Sequence, residues 1–167
     1  MNLITKPYNR EAAVKYATTW ALRKNPRFYD YTNLGGDCTN FASQVIFSGA
    51  PIMNYNSANG WYYINANQKS PSWTGVDFLH QFLIQNQNRG PFAQEVQLTR
   101  IQPGDIIQIW FGNKPHFNHS LVVTQITLPI TPENILVSVH TPDFLNRKLS
   151  TYQWVSARYI HILGARL

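Results

Sequence analysis

The chain has 167 residues, 44% of them hydrophobic, 14% aromatic and only 13% charged. That length suits one domain with a core of its own over 1–167, and the apolar fraction excludes a disordered chain. The net charge of +6 suits an anionic partner, whether nucleic acid, anionic lipid or an acidic cell-wall polymer.

The first periodic segment covers 10–23. Ala13, Tyr16, Ala17, Trp20 and Ala21 fall on one face of a helix. Asn9 suits the N-cap, Glu11 sits in the first turn, and Pro26 closes the segment. Lys15, Arg23 and Lys24 lie opposite, as a solvated face or a stripe for a polyanion. A loop over 28–36, rich in Tyr, Asn and Gly, leads to a second predicted helix over 38–48. Cys38, Phe41, Ala42, Val45, Ile46 and Gly49 share its inner face, and Pro51 prevents its resumption.

Residues 52–72 show no period and read as a long surface loop, of a length that is usually functional or mobile. Ser72-Trp73-Thr74-Gly75 opens a third helix, with Thr74 and Asp77 spaced like a capping box. Val76, Leu79, Phe82 and Leu83 line its inner face, and Gly90-Pro91 ends it. The pattern then turns to period two, predicting strands over 105–110, 119–127, 134–140 and 159–165. Helices first and strands later, without βαβ alternation, predict an α+β fold with helices packed on an antiparallel sheet. No apolar run approaches the roughly 20 residues of a membrane span, and Met1 to Arg10 holds no apolar stretch of signal-peptide length.

The chemistry concentrates in Gly35-Gly36-Asp37-Cys38-Thr39-Asn40-Phe41. Cys38 is the only cysteine, so an intrachain disulfide is excluded, and no second soft ligand set implies a metal beside it. Placed in the first turn of a helix, its thiolate gains from the helix dipole and from free N–H groups. The same N–H groups can receive an oxyanion. Cys38 is therefore either a nucleophile or a small buried residue of the inner face.

A nucleophilic cysteine needs a base, and the base an orienting group. Of five histidines, His119 opens a predicted strand and His140 ends the next. A register that joins 119 to 140 puts both on one face at one sheet edge, as a base and its support require. Trp73 is either packing for the third helix or an aromatic wall of a cleft, and Trp61, Tyr62 and Tyr63 offer a similar choice. Asp37 reads first as a cap of the second helix.

Asp37-Cys38 opening a helix, Pro103-Gly104-Asp105 opening a strand and His119 opening the next resemble papain-like cysteine peptidases and amidases of the NlpC/P60 type. The wider pattern resembles the putative amidase domain family. It comprises Tyr8-Asn9-Arg10-Glu11-Ala12-Ala13, Leu34 to Gln44, Ser72-Trp73-Thr74-Gly75, Pro103-Gly104-Asp105, His119-Ser120 and His140-Thr141, and spans about 8–145. The resemblance implies a papain-like fold with Cys38 as nucleophile and His119 as general base, then acid. It implies His140 as the residue that orients the base, with Asp143 as its rival, and Asp37 as a holder of a substrate amino group. The expected substrate is a peptide or peptidoglycan fragment, with no cofactor.

Two other readings belong to different classes. A non-catalytic glycan- or peptide-binding module on the same fold would leave Cys38 unreactive. A nucleic-acid binder would need a basic cluster or a stacking motif, and the basic residues here are scattered.

Overall fold

The computed structural model describes residues 3–167. A short strand β1 (Thr5–Pro7) precedes α1 (Arg10–Trp20) and α2 (Cys38–Gly49). A small hairpin, β2 (Tyr63–Asn65) and β3 (Gln68–Lys69), leads to α3 (Pro71–Thr74) and α4 (Val76–Gln85). Six strands follow: β4 (Gly90–Val96), β5 (Ile106–Trp110), β6 (His119–Ile126), β7 (Ile135–Val139), β8 (Phe144–Lys148) and the longest, β9 (Ser156–Arg166). All but β2 and β3 form one sheet in the order β1-β9-β5-β6-β7-β8, with β4 also paired to β9. Every pairing in it is antiparallel, as the late run of period-two segments predicts. The fold is mixed α and β, with an antiparallel sheet and a few helices.

Alternation along the central strands divides the core. Ile106, Val122 and Ile160 face the helices and pack with Ala13, Ala17, Phe41 and Val45. Ile107, Ile109, Leu121, Val123, Val137 and Val139 face the other way, under Leu149 and Trp154. Cys38 belongs to this second group, because the first turn of α2 reaches the end of the sheet.

Asn9 caps α1 as its position predicts, its side chain accepting from the Ala12 N–H at 3.0 Å. The capping box expected at Thr74 and Asp77 does not form. The helical stretch breaks at Gly75, which is extended and is itself the N-cap of α4. The Thr74 hydroxyl instead accepts from Lys69 Nζ at 3.0 Å.

Three strands of the main sheet escape the sequence pattern, as does the hairpin of β2 and β3. β4 opens with Gly90-Pro91, a pair that reads as a terminator. β1 is three residues long, and β8 is an outer strand of largely exposed residues without clean alternation. The stretch 52–72 is not a free surface loop. Trp61 within it is fully buried, donates to Ser43 Oγ at 3.1 Å and lies 4.7 Å from the Trp73 ring.

Tyr8-Asn9-Arg10 and Pro103-Gly104-Asp105 are one structural unit. Tyr8 Oη donates to the Gly104 carbonyl at 3.0 Å. Arg10 Nη1 donates to the Pro103 carbonyl at 2.9 Å and to Asp105 Oδ1 at 2.8 Å. Asp105 is wholly buried and also accepts from the Ile162 N–H and pairs with His161 Nδ1. A buried carboxylate survives only with such satisfaction. This clasp joins the chain start, β5 and β9.

Candidate active site

Cys38 is the first residue of α2. Gly35 and Gly36 ahead of it have φ of 91° and 103°, a region that favours glycine. They turn the chain so that Asp37 lands at the N-cap and the thiol at the open end of the helix. The Asp37 N–H donates to Thr141 Oγ1 at 2.9 Å, tying this turn to the segment after β7.

The thiol meets the start of β6. Cys38 Sγ lies 3.7 Å from Thr39 Oγ1, and Thr39 Oγ1 lies 3.0 Å from Ser120 Oγ. His119 is the preceding residue, so the fold brings Cys38 and the His119 segment together. Cys38 is 8% exposed and His119 7%. Burial pushes the Cys38 thiol up, opposed by the Ser120 N–H, the Thr39 hydroxyl and the Thr39 N–H and reinforced by the charge of Asp37. That direction is opposite to the one expected from the helix terminus alone. Burial first, and then Arg147, push His119 down to about 4. At neutral pH Cys38 is therefore a thiol and His119 an uncharged imidazole, the form that can accept a proton.

His140 does not stand with His119. Val122 pairs with Ser138 and Val123 with Val137, so continuing the register sets Ser120 opposite His140. The expected register is off by one residue, and one residue reverses the face. His140 lies on the helix side, stacked on Phe41 with ring centroids 4.0 Å apart. Its Nδ1 meets Asp37 Oδ2 at 2.6 Å and its Nε2 donates to the Trp20 carbonyl at 2.8 Å. Neither nitrogen is left to orient His119. Asp143, the rival for that task, bonds Lys24 Nζ at 3.0 Å and the Thr141 N–H at 3.1 Å.

Asp37 neither caps α2 with its side chain nor faces a substrate. It is 1% exposed. Its Oδ1 accepts from the Tyr31 N–H and from Asn40 Nδ2, both at 2.8 Å, and its Oδ2 holds His140. Trp73 is likewise no cleft wall: it is fully buried, donates to Asn40 Oδ1 at 2.9 Å and stacks on Phe28. These two residues hold Asn40 from either side, and Asn40 lies in the same helical turn as Cys38.

The residues that do surround His119 come from segments without a sequence signal. The Tyr152 ring lies 6.3 Å from the His119 ring, and Arg147 lies over the Tyr152 ring at 4.3 Å. The Tyr152 hydroxyl is buried without a hydrogen-bond partner among the described residues. Arg147 sits on the unpredicted β8, and Tyr152 follows in the irregular chain after it, so neither had a pattern to mark it.

A family model described as "Putative amidase domain" matches residues 7–163. No curated protein and no solved structure matches the chain. The match takes in α1, the Cys38 turn, the Asp105 clasp and His119, and it ends within β9.

Proposed function

The chain belongs to the putative amidase domain family, and on that premise we propose that it hydrolyses amide bonds with Cys38 as nucleophile. The family points to amide hydrolysis in general; the cysteine mechanism is our reading. One observation carries it: the only thiol opens a helix whose first turn is bonded to the start of β6 through Thr39 and Ser120, and β6 begins with His119, which burial keeps uncharged at neutral pH. In this reading His119 takes the thiol proton as sulfur attacks the carbonyl carbon. The C–N bond then breaks, and His119 returns the proton to the leaving amine. N–H groups left free at the first turn of α2 receive the oxyanion. Water then attacks the thioester and frees the acid, restoring the thiol.

We place the domain, over 1–167, among papain-like folds of the NlpC/P60 type on the order helix-borne cysteine, then strand-borne histidine. The substrate we propose is a peptide amide of bacterial peptidoglycan, favoured by the +6 charge against an anionic polymer. Among the described residues no helix is long and apolar enough to cross a membrane.

The test is digestion of purified peptidoglycan and of a panel of peptide amides, with products read by mass spectrometry. New amine and carboxyl termini are expected with the native protein and none with Cys38→Ala. His119→Ala should lose about 100-fold or more, the usual contribution of a general base. Equal turnover by native protein and Cys38→Ala would refute the mechanism. A second reading, a non-catalytic peptide- or glycan-binding module, draws on the burial that pushes the Cys38 thiol up. It predicts binding of the same materials without any new termini.

A further inference from the structure

Away from Cys38 and His119, a cleft of about 420 Å³ opens between the turn at 54–60 and α4. Its volume is in the range of small-molecule sites. Thirteen residues line it and none is charged, although the chain carries 22 charged residues, 14 basic and 8 acidic. Seven of the thirteen are Asn or Gln, against 27 of 167 in the whole chain. The lining is therefore enriched in neutral amides and excludes charge.

The amides divide into two sets. Asn54 and Asn86 build the walls: both donate to the Arg89 carbonyl, and Asn86 also to the Pro91 carbonyl. The side-chain amides of Asn59, Gln81, Gln85, Gln87 and Asn88 make no bond to another described residue. Asn59 and Asn88 enter the network only through their backbone N–H groups. Phe78, Gln81 and Gln85 recur at i, i+3 and i+7 along α4, on one stripe of the helix. All three are exposed, Phe78 to 58%.

We propose that this cleft binds a neutral oligosaccharide. Each free amide offers one acceptor oxygen and two N–H donors, and sugar hydroxyls both donate and accept. The bare Phe78 ring offers an apolar face for the C–H face of a pyranose. A lining without cations or anions provides no partner for a phosphate, a carboxylate or an ammonium. The walls are already fixed by Asn54 and Asn86, so the ordering on binding falls on the free side chains and not on the backbone.

Titration of ¹⁵N-labelled protein with tri-N-acetylchitotriose, cellotriose and tri-alanine, each to about 10 mM, tests this at the weak end of specific affinity. With at least one trisaccharide, saturable shifts are expected at the side-chain amides of Asn59, Gln81, Gln85, Gln87 and Asn88. Phe78→Ala, a change at an exposed position, should weaken binding about tenfold or more, or 1.4 kcal/mol. Cys38→Ala should leave it unchanged, so the result stands or falls apart from the hydrolase reading. No saturable shift with either sugar, shifts confined to other residues, or binding of tri-alanine alone would overturn the proposal.

Discussion

At the scale of single residues, two buried titratable groups hold the account. His119 is pushed down to about 4, by burial and then by Arg147, whereas an unfolded histidine titrates near 6.5. Between those values the unfolded chain binds a proton that the folded chain refuses. Stability therefore rises with pH across that window and is lost as pH falls through it. The window is worth at most about 3 kcal/mol. Urea unfolding of His119→Gln should show a flatter dependence between pH 6.5 and 4 than the native protein, and an equal dependence would count against the burial argument. The Asp37–His140 pair is the second. Both partners are 1% exposed, and breaking a buried pair from one side costs about 3–5 kcal/mol. Asp37→Asn should lose about that much, and the double variant with His140→Gln should lose clearly less than the sum of the singles. Additive losses would mean that the two side chains act independently.

At the scale of elements, what the sequence made legible follows from periodicity. α1 buries one regular face, and α2 and the central strands, though buried nearly all round, still repeat their apolar residues at helical or two-residue spacing, so these elements show. The Cys38 turn shows because glycines with positive φ leave a residue signature. What escaped depends on partners distant in sequence. β4 is a strand because β9 pairs with it, despite a Gly-Pro opening. The offset of His140 from His119 comes from a bulge and register that pairing alone sets, so a one-residue error moved His140 to the wrong face. Asp37, read as a cap, serves a histidine 103 positions later. Residues 52–72 have no period because their order comes from single anchors such as Trp61. Trp61→Ala should therefore cost about 3–5 kcal/mol, the range for a buried aromatic, and lower Tm by roughly 10 °C for a domain of this size. A loss under about 1 kcal/mol, as at a surface position, would show that this stretch is dispensable to the core.

At the scale of the whole molecule, the fold is a device for meeting. The nucleophile candidate comes from the helical first half and the base candidate from the sheet, 81 positions apart. The Asp105 clasp ties the start of the chain to β5 and β9. Asp37 and Thr141 tie the Cys38 turn to the end of β7. Both sets of ties set where α2 meets β6. We propose that this meeting makes Cys38 and His119 one reactive unit, and the pH profile of Cys38 alkylation by iodoacetamide reads it directly. With an uncharged His119 as base, the native rate should rise near pH 4, where His119 loses its proton. It should then hold a plateau, and climb again only where the raised thiol ionises by itself. His119→Ala should lose the plateau, about 100-fold in rate at neutral pH, and keep only the alkaline limb. Superimposable profiles for the two proteins would contradict the account, leaving Cys38 a buried thiol and His119 its unconnected neighbour.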